Sequence, residues 1–338
     1  MKRLTIADIA DAAGVSTGAV SYALNGKPGV SAATRERVLR IADSMGWRPS
    51  TAARALTRSR SGAIGLIVDR PAQVLGIEPF FMQLVSGIEA ALRADPSTAL
   101  MLAVTDDRDA EIETYRRWWA ERRVDGVIVV DLHENDSRAG LLAEIGLPAV
   151  ALGHPQSAEV PCVWSDDEGP MAEVVGYLAA LGHRRIARVA GPAQFSHTLR
   201  RNEAFARAAE THQLEWSKTL YGDYSGESGA RETRRLLSER NRATAIIFDN
   251  DVMALAAMAA AQEMGISVPE QLSVLSWDDS ALCRLVRPAV TAVDRHITQH
   301  GVLAIETLNE VLAVGTAEHR RVPAPVLMPR ASTAQAPN

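Results

Sequence analysis

The chain has 338 residues, 41 acidic against 36 basic side chains, and a formal net charge of −5. Two distant cysteines exclude a disulfide scaffold, and eight histidines without H-E-x-x-H spacing offer no zinc-hydrolase pattern. No apolar run reaches the roughly 18 residues of a membrane span, and Met-Lys-Arg-Leu-Thr leads into a polar pattern with no signal-peptide core, so the expectation is a cytoplasmic protein with no membrane partner.

Three short helical patterns open the chain. Thr5 is placed to cap the first, with Asp8 three positions on. Ile6, Ile9, Ala10 and Ala13 recur at helical spacing. Gly14 ends this helix, because glycine enters the left-handed region without strain. Ser16 caps a second helix that turns Val20 and Leu24 inward, and Asn25-Gly26 stops it. Ser31 caps a third, carrying Val38, Leu39 and Ile41 and ending near Met45-Gly46, with Trp47 packed back on the small core. The tight turn Ala12-Ala13-Gly14-Val15 between the first two reads as a helix-turn-helix. Such a unit lays its second helix in the major groove of DNA; a generic helical bundle is the alternative. Met1–Ser61 holds ten Lys and Arg against four Asp and Glu, a net +6, which leaves −11 for the remainder. A basic head on an acidic body suits a protein whose head alone meets phosphate, although a solvated basic face would carry the same charge.

The rest of the chain alternates strand and helix. Apolar strands are expected at 63–68, 99–104, 125–130, 148–152, 185–190, 245–248 and 272–275, and helices at 79–94, 108–123, 169–181, 201–212, 227–240 and 251–264. Short apolar strands alternating with helices argue for parallel α/β sheets. After Pro329 the segment Arg-Ala-Ser-Thr-Ala-Gln-Ala-Pro-Asn reads as a disordered tail.

Ligands of open α/β sheets bind outside the carboxyl ends of the strands. The residues there are Asp69, Phe80 and Phe81 at the next helix entry, Asp131, the run Trp164–Asp167, Asp249–Asp251 and Trp277–Asp279. Arg201 lies at a helix start. Aromatic plates with carboxylates and an arginine suit a polyol, whose apolar faces stack and whose hydroxyls take forked hydrogen bonds. Phe80 and Trp277 fit lobe core equally well, and Asp166 or Asp251 fits a helix cap. The adjacent carboxylates at 106–107, 166–167 and 278–279 are ordinary loop features, and no G-x-x-x-x-G-K-[ST] phosphate loop occurs. No catalytic constellation and no cofactor is expected, so the chain does not read as an enzyme.

The head is similar to the LacI/GalR family of bacterial transcription regulators. The matching run is T-I-A-D-I-A-x-x-A-G-V-S-x-x-x-V-S-x-x-L-N-G, then V-S-x-x-T-R-x-R-V, G-W-R-P and A-x-x-L. The likeness extends to about Pro329, and Arg201 opens R-N-E-A-F, similar to the family's R-x-x-G-F. The resemblance implies a helix-turn-helix domain over 1–48, a hinge over 49–61 and a two-lobed periplasmic-binding-protein type I fold over 62–330. The N-lobe would take about 62–162 and 293–319, the C-lobe about 163–292 and 320–330, and the disordered tail 331–338. It implies base contacts from Thr17, Gly18, Ser21, Tyr22 and Asn25 and phosphate contacts from Thr5, Ser16, Ser31 and Thr34. In the hinge, Arg54 would touch DNA and Leu56 would wedge into the minor groove. Gly18 and Tyr22 depart from members that carry a reading side chain and an arginine there. The implied effector residues are Asp69, Phe80, Phe81, Trp164, Arg201, Asn250 and Asp278. The implied partners are a near-palindromic operator, a carbohydrate-type effector and a second copy of the chain, with helix 79–94 and the helix bearing Trp118-Trp119 as candidate dimer surfaces, the two Trp fitting core or interface. The implied activity is ligand-responsive repression of transcription. A sugar-binding protein of the same fold and a regulator answering to a partner protein are the alternatives.

Overall fold

The computed structural model describes residues 4–47, 60–70, 75–156 and 160–337. The chain divides into two compact units, Met1–Ser61 and Gly62–Asn338.

The first unit holds helices α1 (Ile6–Ala13), α2 (Thr17–Leu24) and α3 (Ala32–Ser44). Thr5 and Asp8 form a reciprocal capping box, and Gly14 closes α1 in the left-handed region. Ser16 and Ser31 each accept an amide three residues on. Ile9, Ala10, Ala13, Val20, Ala23, Val38 and Ala42 make the small core. Leu39 is 46% exposed and Ala42 takes its expected place, because Val38 and Ala42 share one face at i, i+4 spacing and Leu39 points a quarter-turn away.

The second unit is two α/β lobes. The N-lobe sheet runs β11-β5-β4-β3-β1-β2 and is parallel throughout. Its strands are β1 (Ala63–Asp69), β2 (Ala99–Thr105), β3 (Gly126–Val129), β4 (Ala149–Leu152), β5 (Cys162–Trp164) and β11 (Arg320–Arg321). Helices α4 (Pro79–Leu92), α5 (Arg108–Ala120), α6 (Ser137–Ile145) and α12 (Ile297–Val314) flank it. The C-lobe sheet runs β12-β10-β9-β8-β6-β7, with only β12 antiparallel. It contains β6 (Arg185–Ala190), β7 (Trp216–Tyr221), β8 (Ala245–Phe248), β9 (Ser273–Ser276), β10 (Thr291–Asp294) and β12 (Val326–Met328). Helices α7 (Glu168–Ala180), α8 (Ser196–Thr211), α9 (Gly226–Leu237), α10 (Asp251–Glu263) and α11 (Ala281–Leu285) complete the lobe. Each sheet is apolar on both faces, as buried parallel strands require. The chain crosses between the lobes after β5, after β10 and after β11.

Two further expectations are corrected, and one open reading, Trp118 as core or interface, is resolved. Residues 163–164 and 320–321 belong to the N-lobe sheet, and 293–294 to the C-lobe sheet, so each crossing falls about two residues from its expected place; strand pairing, which sets the boundary, continues past the last apolar run. The tail is ordered through Ala336. Ser332 is fully buried, its amide donates to Ala289, its hydroxyl to the Val274 carbonyl at 2.6 Å, and it accepts the Thr291 amide at 2.8 Å. The segment is held by hydroxyl and backbone bonds, which a hydropathy pattern does not record. Trp118 is core: it packs on Gly65, where a Cβ would stand 2.7 Å from the indole.

At the α4–α12 crossing in the N-lobe the two helix backbones approach closely. A Cβ on Gly87 would lie 1.9 Å from the Thr298 carbonyl, and one on Gly301 would lie 2.4 Å from that of Leu84. Gly87→Ala is therefore expected to destabilise by about 1–3 kcal/mol, lowering the melting temperature by roughly 2–4 °C per kcal/mol. Gly140→Ala, whose Cβ would meet nothing within 4 Å, is the control and should not lower it. Equal melting temperatures for the two variants in a calorimetric scan would remove the packing argument.

Candidate functional site

In the first unit, helix starts and hydroxyls line up on the surface. Thr17 and Gly18 lead α2 and are exposed, as are Tyr22 and Asn25, while Ser21 is half-buried. The Tyr22 ring rests on Gly29, whose φ of +117° and missing Cβ leave room; a Cβ there would stand 2.9 Å from the ring. Asn25 donates to the Ser21 carbonyl at 2.9 Å, which fixes its amide at the end of α2. Thr5, Ser16 and Ser31 are the three N-caps, and Thr34 shares a 2.9 Å hydrogen bond with Ser31. Helix N-termini carry partial positive charge and unpaired amides, which suit phosphate. The expected contacts Arg54 and Leu56, and with them most of the hinge, lie outside the described residues.

In the second unit, a cavity of about 80 Å³ lies between the lobes at the carboxyl ends of the strands. Its floor is Asp249, fully buried after β8. Arg188 on β6 grips it in a fork, Nε to Oδ1 at 2.8 Å and an Nη to Oδ2 at 2.6 Å. Burial raises the pKa of Asp249, but Arg188 and then Arg201 outweigh it and hold the carboxyl below its ordinary range. Arg201, on α8, lies 5.3 Å over the Trp277 ring and donates to Asp167 at 2.9 Å. Asp167 precedes α7 without capping it, its oxygen being spent on Arg201. On one flank Arg295 donates to Asp278 at 2.8 Å and covers Phe80 at 5.6 Å. Trp164 stands at the rim against His154 and under Arg321.

The N-lobe wall is built on Arg70. Its guanidinium meets Asp131 at 2.9 Å and reaches across to the C-lobe, 4.7 Å over Phe195 and 5.1 Å over Tyr224. Tyr224 has φ +68°, and its hydroxyl meets His197 at 2.7 Å. Glu78 sits at the start of α4, buried, with the Arg70 Nε 4.0 Å away. Burial pushes its pKa up to about 8; Asp131, Asp278 and Asp251 add to this and Arg70 opposes it. The ion-pair distance is too long to offset desolvation, and Arg70 is already committed to Asp131, so Glu78 holds a proton at neutral pH.

The structure brings Phe80, Phe81, Trp164, Arg201 and Asp278 to this cleft. Phe81 is mainly core, 1% exposed and edge-on to Phe80. Asp69 opens into an adjoining recess of about 10 Å³ with Arg108 and His133. Asn250 does not line the cleft; it caps α10 and donates to the Tyr224 carbonyl at 3.0 Å, so it positions the tyrosine. Arg70, Glu78, Phe195, His197, Tyr224 and Arg295 are not among the residues expected from sequence. Arg70 stands one residue beyond β1 and was within reach of the strand-end rule; Tyr224 follows β7, a half-exposed strand with no apolar run. A larger hollow of about 220 Å³ flanks α6 in the N-lobe. Its charged groups, Asp136 and Arg138, are spent on each other at 2.7 Å, so the smaller cleft has the open chemistry.

The lacI model of bacterial regulatory proteins matches residues 5–50, and the periplasmic binding protein-like domain model matches 175–333. The transcriptional regulator CelR of Thermobifida fusca is 34% identical over 87% of both chains. MalR of Streptomyces coelicolor is 33% identical over 98% of this chain and 97% of its own. Among solved structures, a CelR–cellobiose complex is 31% identical with TM-score 0.74, covering 98% of this chain and all of that one. A Lac repressor dimer bound to operator and an anti-inducer superposes with TM-score 0.85 at 26% identity and the same coverage. The chain belongs to the LacI family of bacterial DNA-binding transcriptional regulators, a family of regulators and not of enzymes.

Proposed function

We propose that the protein is a repressor that binds a near-palindromic operator as a homodimer in the cytoplasm and changes its operator affinity when a carbohydrate occupies the interlobe cleft. The observation that carries this reading is the cleft itself: arginine–carboxylate pairs beside Phe80, Trp164 and Tyr224 at the strand ends. Rings cover apolar sugar faces and fixed charges orient hydroxyls. The CelR–cellobiose complex and the operator-bound Lac repressor dimer support the carbohydrate and the two-fold assembly. A coupling of about 1–3 kcal/mol between the sites shifts operator affinity by about 5- to 150-fold, and it requires only that the ligand prefer one lobe geometry.

Selection of genomic fragments by the purified protein tests the DNA reading; the expected result is one enriched near-palindrome. Operator affinity should fall with salt by about 0.9 log unit per log unit for each phosphate neutralised, and a flat response would exclude a basic head on the duplex. Leu56→Ala should weaken operator binding at least tenfold while the melting temperature of the body stays put; unchanged affinity removes the minor-groove wedge. Arg201→Ala should abolish the effector response and keep operator binding. Because it strips Asp167 of its partner, Trp164→Ala is the companion variant, with an expected tenfold or greater loss of effector affinity. A normal response from both would place the effector elsewhere.

A further inference from the structure

We infer that the cleft takes an uncharged polyhydroxylated ligand and excludes phosphorylated and carboxylated sugars, with Glu78 as the side chain that reads a ligand hydroxyl. This rests on the carbohydrate reading above and narrows it. Three arginines line the cleft, and each already has a carboxylate: Arg70 has Asp131, Arg201 has Asp167 and Asp249, and Arg295 has Asp278. No lysine lines it. Of the three lining histidines, His197 is pushed well down and His300 to about 4 by burial and neighbouring arginines, while His154 stands at the rim against Trp164. A ligand anion would therefore enter a desolvated space in which every lining guanidinium is balanced, facing Asp131 and Asp278. An unpaired buried charge is strongly disfavoured.

The polar capacity left over is of a neutral kind. The Glu78 Oε2 has no hydrogen-bond partner among the described residues, and its side chain is only 7% exposed on the cleft wall. The Arg295 Nε–H likewise lacks an acceptor among them. A protonated carboxyl donates one hydrogen bond and accepts another, and the Arg295 Nε donates. A hydroxyl, at once donor and acceptor, satisfies both sites without bringing charge, and leaving them unmade in a buried cleft is costly.

The test is isothermal titration of the full chain with a library of neutral mono- and disaccharides. Each is paired with its 6-phosphate or its uronate or aldonate, glucose, cellobiose and maltose among them. The expected result is at least one neutral ligand whose anionic counterpart binds 100-fold or more weakly. An anionic member that binds as tightly as its neutral parent, or more tightly, overturns the inference and leaves the carbohydrate reading standing. Heat from no member at all removes both. With the neutral ligand, Glu78→Ala should lose tenfold or more in affinity with its melting temperature retained, and Glu78→Gln, which keeps a donor and an acceptor, should restore most of it. Undiminished binding by Glu78→Ala overturns the role of Glu78.

Discussion

A charged carboxylate sealed from water organises the effector half of the molecule. Asp249 has no exposed surface, and an unpaired charge in such a place would cost several kcal/mol. Arg188 and Arg201 resolve this from different directions, one from the neighbouring strand β6 and one from α8. Because Arg188 forks onto both oxygens, the ends of β6 and β8 are locked in register just below the cleft. Arg201 then carries the constraint outward to Asp167, next to the first crossing between lobes. Floor, wall and crossing are thus one electrostatic unit.

The opposite wall uses a softer contact. Arg70 spans the lobes through ring faces, with Phe195 and Tyr224 stacked side by side beneath it. Cation–π contacts contribute about 0.5–2 kcal/mol, small enough to be broken or remade as lobes move. Asn250, through the Tyr224 carbonyl, ties that aromatic pair to the start of α10. The rigid side of the cleft is charge-paired and the adaptable side is aromatic, a division suited to a site whose occupancy has to be felt by both lobes.

Much of this was legible in the residues. Thr5, Ser16 and Ser31 announced three helices because capping is a local interaction between residues three apart. The α/β alternation announced the lobes because buried parallel strands are apolar on both faces. Arg201 and Asp278 stood out as charges at an expected helix start and a strand end, although α8 begins five residues before Arg201, at Ser196. Glu78 did not, since its role arises from desolvation, which spacing does not encode; Arg70 has a legible place just past β1, but its cross-lobe stacking is not. The edge strand β7 escaped notice because its half-exposed Trp-Ser-Lys-Thr-Leu-Tyr mixes polar and apolar residues. The tail was misread for a related reason: Ser332 is buried by hydrogen bonds and not by hydrophobicity.

That last segment also bears on how the chain is born. The Val274 amide waits for the Ser332 carbonyl, the Thr291 amide for its hydroxyl, and His183 for the Ala334 carbonyl. The N-lobe likewise waits for α12 and β11, which are made after nearly all of the C-lobe. Domains tend to fold as they emerge, N-terminal first. Here the helical head is complete in sequence long before α12, β11 and the segment around Ser332 are translated. Both lobes are closed only by residues made after position 296, so the sensor half closes later in synthesis than the reader half.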